Sequence, residues 1–416
     1  MSDTTIKKLE IFLLGLLGFS IFTSKAGINI SVTILLMLFL YSLISNSAFR
    51  EKALSSPVTK ISLIAYLIAV VSCLISPGNL DDIVHIARKS LFLVVFPYLI
   101  ILFNNKKHKQ SAIIGLLLGL LLSIFYGLYT LLQMKTTGLN PLRLESFLDV
   151  GRWSENLSYF LAFSIPFWFN LTNDKFKYAL MTVIILSIVC LVLTGSRGPW
   201  LATFIVVNLL LLSCYKQFFL KIFLVCLISL PILTTVFPTK FEGVTNRVES
   251  ILDTKVDQSN TARLIMWKKA IAFTSYNWSE SPTKVIFGLG ENNYTKEFKI
   301  YISKTSPNVT NETAYFSFTE PHNAYLESLV KHGLLYELTF LSLLIYITFM
   351  LIRCKHQYKQ AGICVISSFL IIGIFYSNQM VIQTYTVFFM LALCLPMLKE
   401  GKNIDQTSEL KTGLKI

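Results

Sequence analysis

Four residues in this sequence stand where they could act on a charged substrate: His322, Arg197, Arg263 and Arg247. His322 lies in Thr319-Glu320-Pro321-His322-Asn323, where a long polar stretch meets an apolar run. Pro321 suits a first helical position, because its missing N–H has no partner there, and Thr319 or Glu320 can cap the helix. This spacing predicts that His322 sits in the first turn of a helix. Unpaired N–H groups and the positive end of the helix dipole favour an anion nearby and disfavour protonation of the imidazole. A neutral imidazole beside an anion can serve as a general base. The same position also suits a plain capping or interfacial polar residue.

The arginines extend the anion theme. Thr194-Gly195-Ser196-Arg197-Gly198-Pro199 joins two apolar runs so tightly that Arg197 is held at a membrane surface. Arg263 lies in Asn260-Thr261-Ala262-Arg263-Leu264-Ile265-Met266-Trp267, one helical turn before Trp267. A guanidinium fork binds two phosphate oxygens at once and keeps its charge in any environment, so a lipid diphosphate fits these positions. Other roles remain open for each: a snorkelling anchor for Arg197, a solvated helix face for Arg263, and pairing with Glu249 or Asp253 for Arg247. Neither Asp81-Asp82 nor Asp253 and Asp257 make a magnesium site, and no D-x-D pair is present, so a metal-independent site without a cofactor is expected. The chain also lacks G-x-S-x-G and H-E-x-x-H, and none of its cysteines falls between Pro238 and His322. A transporter would bury charge at mid-membrane; Arg88 is the residue such a reading needs.

The elements that must position these residues are membrane helices. Of the 416 residues 54% are hydrophobic and only 14% charged, with mean hydropathy +0.61, which implies an all-α polytopic membrane protein rather than a soluble domain. Apolar runs recur at 11–22, 27–45, 60–76, 87–103, 111–133, 155–172, 178–194, 199–214, 217–237, 333–352, 361–377 and 380–398. That spacing gives about twelve spans. The start imitates a signal peptide, but Lys25 sits badly for cleavage and a second apolar run follows, so it reads as an uncleaved first span. The net charge of +14 reports topology: Lys7 and Lys8, Lys106 and Lys107, Lys175 and Lys177, and Arg353 and Lys355 alternate with loops poor in basic residues. Both termini are therefore expected in the cytosol and the long loop outside. No basic run with interleaved aromatics suggests a nucleic-acid face.

The predicted organisation is spans one to nine over 1–237, an external loop over 238–322, three spans over 323–398 and a cytosolic tail over 399–416. In the loop, Phe241–Leu252 and Thr261–Phe273 carry helical spacing, with Ser259 or Asn260 as cap for the second, and Gly288-Leu289-Gly290 predicts a turn. The seven cysteines form no disulfide framework and no CxxC pair.

His322-Asn323, nine residues to Gly333 and two more to Tyr336 resembles the signature of bacterial O-antigen ligases. The Thr194–Arg197 turn and the Ala262-Arg263-Leu264-Ile265-Met266-Trp267 segment resemble that family's other motifs, in the same order. The resemblance implies an inverting, metal-independent glycosyltransferase of the bacterial inner membrane with its active site in the periplasm. The implied donor is undecaprenyl-diphosphate-linked O-antigen, and the implied acceptor is a hydroxyl of the lipid A-core of lipopolysaccharide. Carried over, His322 deprotonates the acceptor, Arg197 and Arg263 hold the diphosphate, and Asn323 orients the histidine. O-antigen polymerases of the same superfamily share the donor and much of the topology; the His-Asn to Gly spacing favours the ligase.

Overall fold

The computed structural model describes residues 3–75, 80–136, 143–221, 258–309, 316–353 and 358–395. Every regular element among them is helical. The first group is α1 (Asp3–Thr23), α2 (Lys25–Ser45), α3 (Ser47–Ser55), α4 (Pro57–Ile75), α5 (Leu80–Lys89), α6 (Leu91–Leu102) and α7 (Lys106–Thr136). Next come α8 (Val150–Phe169), α9 (Asp174–Thr194) and α10 (Arg197–Cys214). A polar group follows, α11 (Gln258–Glu280), α12 (Pro282–Phe287) and α13 (Glu291–Thr305), and then α14 (Ala324–Arg353), α15 (Lys359–Phe375) and α16 (Ile382–Cys394).

Helix is the form these runs must take, because a backbone in hydrocarbon has to satisfy its own N–H and C=O groups. Among the described residues, seven helices are long and apolar enough to cross a membrane: α2, α4, the α5–α6 pair, α7, α9, α10 and α14. Helices α15 and α16 are apolar but shorter. The apolar runs read from the sequence fall on these helices and on α1 and α8; the run at 217–237 is described only to Lys221. Large apolar side chains stay uncovered on the flanks, with Ile44 80%, Ile345 69% and Phe204 67% exposed. Water does not tolerate so continuous an apolar surface, whereas lipid does. Inside, α1 and α7 approach at backbone contact: a Cβ on Gly115 would lie 2.0 Å from the Gly15 carbonyl oxygen, and one on Gly119 2.2 Å from that of Phe19. Small residues at helix spacing let the two backbones touch, the usual way membrane helices associate.

Lys7, Lys8, Lys106 and Lys107 line one cleft at one end of the bundle. Elsewhere Lys25 meets Asp149 at 3.8 Å, and Asp149 also holds Arg152 at 2.7 Å.

Helices α11 to α13 form a cap with its own small core, in which Phe273, Leu289, Tyr294, Phe298, Ile302 and Val309 pack with Val330 of α14. One expectation changes here. Helix α11 begins by Gln258, which places Ser259 and Asn260 within it rather than at its cap. The Phe241–Leu252 helix and Arg247 lie outside the described residues.

Candidate active site

The helix that follows the candidate base starts later than the sequence suggests. Asn323 is its cap: the side-chain oxygen accepts from the backbone N–H of Tyr325 at 3.1 Å and of Leu326 at 3.0 Å, and helical structure runs from Ala324. His322 therefore sits one residue before the cap, not in the first turn, and Pro321 lies outside the helix. The reason is local, since an asparagine oxygen satisfies two orphan N–H groups that neither Thr319 nor Glu320 reaches. The Asn323 amide also donates to the carbonyl of Ile374 at 3.1 Å, which ties the start of α14 to the end of α15. Its described bonds position a helix end; none reaches the imidazole.

His322 has φ of 51°, a left-handed conformation that non-glycine residues seldom adopt and that histidine tolerates better than most. Its side chain is 40% exposed, and its Nδ1 lies 4.0 Å from Glu320 Oε2. Burial lowers its basicity below the ordinary histidine value; Glu320 and Glu327 push the other way, and Arg263 adds to the lowering. Arg263 and His322, 59 residues apart in sequence (322 − 263), thus share one electrostatic neighbourhood.

Helix α14 is broken at Gly333, with φ 87° and ψ 165°, a region open essentially to glycine alone. The carbonyls of Val330 and Lys331, which the break deprives of helical partners, accept from the N–H groups of Leu289 at 3.0 Å and Gly290 at 2.9 Å. The Gly288-Leu289-Gly290 turn, with φ 79° at Gly288 and 77° at Gly290, docks into this break. A Cβ on Gly333 would lie 2.4 Å from the Ile286 oxygen, and one on Gly288 2.5 Å from the Lys331 oxygen, so neither position admits a side chain. The glycine that closes the His-Asn-to-Gly spacing is therefore where the cap seats on the span.

An ion cluster fastens the same junction. Glu291, opening α13, meets Lys89 of α5 at 2.9 Å, His85 at 3.0 Å and Lys331 of α14 at 3.8 Å, while Lys331 also pairs with Glu327. Burial alone would raise the Glu291 carboxyl, but Lys89 and Lys331 outweigh it and hold it at about 2. Asn292 adds a bond to Asp82 at 2.6 Å. The acidic pair read earlier only as a poor metal site thus includes an anchor for the cap.

The arginine segments converge on a residue that the sequence reading passed over, Tyr376, just past α15. The Arg263 guanidinium stands 5.6 Å from its ring centroid, and Trp267, one turn on, meets neighbouring Phe375 at 6.5 Å. From the other side comes the Thr194–Gly198 turn. Gly195 takes φ 62° to end α9, Arg197 opens α10, and the Trp200 indole donates to the Leu191 carbonyl at 2.7 Å. Gly198 lies against the ring, where a Cβ would come 2.5 Å from Tyr376 Cε2. The Ser196 hydroxyl is beside the phenol, though outside strict hydrogen-bond geometry. Burial raises the phenol above its usual range, and Arg263 and Arg143 partly offset this. Arg143 itself donates to the Gly195 carbonyl at 3.1 Å. The sequence carries no signal for Arg143, nor for Tyr376, which ends an apolar run as interfacial tyrosines commonly do.

Three segments far apart in the chain, around 195–198, 263–267 and 320–323, thus meet at one end of the bundle around 375–376. Residues 182–341 match the family model described as O-antigen ligase, Wzy_C. This stretch is a domain of the O-antigen ligase superfamily. It contains Arg197, Arg263, His322 and Gly333, while Arg143 and Tyr376 fall outside it. The chain is also similar to a protein of Haemophilus influenzae described as uncharacterized, 27% identical over 313 residues that span 72% of this chain and 74% of that one.

Proposed function

We propose that this protein transfers an O-antigen glycan from undecaprenyl diphosphate to a hydroxyl of the lipid A-core at the periplasmic face of the bacterial inner membrane. In this reading both termini are cytosolic and the cap is periplasmic. Membership of a domain in the O-antigen ligase superfamily implies lipid-linked glycan chemistry. The observation that carries the finer reading is the meeting of His322 with Arg263 and the Arg197 turn at the end of a membrane bundle. A lipid diphosphate presents its charge and its sugar at that depth.

Neutral His322 accepts the proton of the acceptor hydroxyl, and the oxygen attacks the anomeric carbon of the donor sugar. The bond from that carbon to the diphosphate oxygen breaks on the opposite face, so configuration inverts. Negative charge grows on the departing undecaprenyl diphosphate, and the guanidiniums of Arg197 and Arg263 stabilise it. A sugar-diphosphate bond supplies the energy in a compartment without ATP. His322 is well set for the base role because its lowered basicity keeps it neutral below the ordinary histidine range.

That assignment has a pH signature. As pH falls through the His322 pKa the imidazole protonates and the rate drops, so the acidic limb of the pH–rate profile lies below pH 6.5, the ordinary histidine value. Glu320 raises that pKa, and Glu320→Gln removes the raising influence, so its acidic limb shifts to lower pH. A limb that stays put or moves upward contradicts His322 as the titrating base. The ligase reading itself is tested in a deletion strain. Glycan polymer accumulates on its lipid carrier when a ligase is lost, whereas single repeat units still reach the core when a polymerase is lost.

A further inference from the structure

We propose that the small cavity bordered by Glu320, the neighbour of His322, is a subsite for hydroxyl groups of the acceptor sugar, an inference that rests on the transfer reading above. The cavity, about 40 Å³, is lined by residues that include Glu320, Glu327, His332, Ser377 and Gln379. Four of the lining residues carry buried polar atoms without partners: His332, only 6% exposed, has no hydrogen-bond partner at Nδ1, and neither do Glu327 Oε2, Ser377 Oγ and Gln379 Oε1. Buried polar atoms are almost always satisfied, so this set points to a hydrogen-bonding occupant.

Size and charge narrow the occupant. Each water-sized group needs roughly 10–15 Å³ of such space, which leaves room for a few hydroxyls and not for a whole sugar ring. Lys89 and Lys331 are engaged by Glu291 and Glu327, so what remains free is mostly acceptor oxygen that seeks O–H donors. No arginine lines the cavity, and its carboxylates repel phosphate. One short connection serves both sides of the reaction: Tyr376 faces Arg263, while Ser377 and Gln379 line the cavity. Asn378 between them is pinned, donating to the Tyr159 hydroxyl at 3.1 Å and to the Phe369 carbonyl at 2.9 Å. Glu320, which is half exposed and 4.0 Å from His322, joins the cavity to the base. An in-line displacement needs this separation, with the leaving diphosphate on one side and the incoming hydroxyl on the other.

The test uses the full-length protein in detergent with two probes, lipid-free core oligosaccharide and undecaprenyl diphosphate. Gln379→Met and the milder Ser377→Ala are expected to weaken oligosaccharide binding, by about tenfold for Gln379→Met, the size of one lost hydrogen bond. Carrier binding should stay unchanged, and in a transfer assay the acceptor KM should rise with kcat held. Unchanged oligosaccharide binding, meaning that the cavity holds water alone, overturns the proposal; so does equal weakening of both ligands, the mark of a structural role. Gln379-dependent oligosaccharide binding by a wild-type protein that moves no glycan would sink the transfer reading and leave the subsite standing. Normal transfer by both variants does the reverse.

Discussion

His322→Asn is expected to lower glycan transfer at least a hundredfold while the protein accumulates in the membrane at its normal level. Asparagine is the informative replacement because the backbone at this position has φ of 51°, which asparagine also tolerates, whereas alanine adds strain to the loss of the ring. General-base catalysis contributes roughly a hundredfold to ten-thousandfold, and the amide of asparagine cannot take the proton. In cells the variant should give lipopolysaccharide that lacks O-antigen, read as loss of the long ladder on a gel. A normal ladder would show that His322 is a positioning residue of the loop and that another group handles the proton.

Gly333→Ala is expected to cost as much activity by a different route. The added Cβ meets the Ile286 oxygen, the Phe287 carbon and the Gly288 nitrogen at 2.4 to 2.5 Å, all of them backbone that cannot step aside singly. The backbone conformation at Gly333 adds about 1 to 3 kcal/mol of strain for any L side chain. Cap and span must separate, which removes the N–H partners of the Val330 and Lys331 carbonyls and loosens the ion cluster around Glu291. The predicted signature is faster protease cleavage within α11 to α13 in membranes, together with lost transfer. Alanine at Gly333 with wild-type protease resistance would mean that the Gly-Leu-Gly turn does not dock there. The substitution of Gly288, from the other side of the same contact, should reproduce the phenotype.

Much of this arrangement was legible in the sequence because strong physical rules act on single segments. A backbone in lipid must be helical, so the apolar runs foretold helices. Lys7 and Lys107, which the alternation of basic loops puts on one side, share one cleft. The Thr194–Gly198 turn read as tight, and Gly195 makes it so. What the sequence concealed depends on partners distant along the chain. Asn323 caps α14 because its side chain reaches the Tyr325 and Leu326 N–H groups, and no propensity decides between it and Thr319 in advance. Gly333 looked like one letter of a signature, but its meaning lies in Gly288, 45 residues earlier (333 − 288). Tyr376 and Arg143 carried no local mark, since the contacts that set them apart are made with Arg263, Gly198 and Gly195.

Reconstitution tests the central claim most directly. Purified protein in lipid vesicles is given undecaprenyl diphosphate carrying labelled O-antigen, together with lipid A-core, and the label and the released carrier are followed together. The account predicts that label appears on the core with one undecaprenyl diphosphate freed for each glycan moved, and that His322→Asn stops both. Carrier that keeps its glycan in the presence of wild-type protein and acceptor contradicts it.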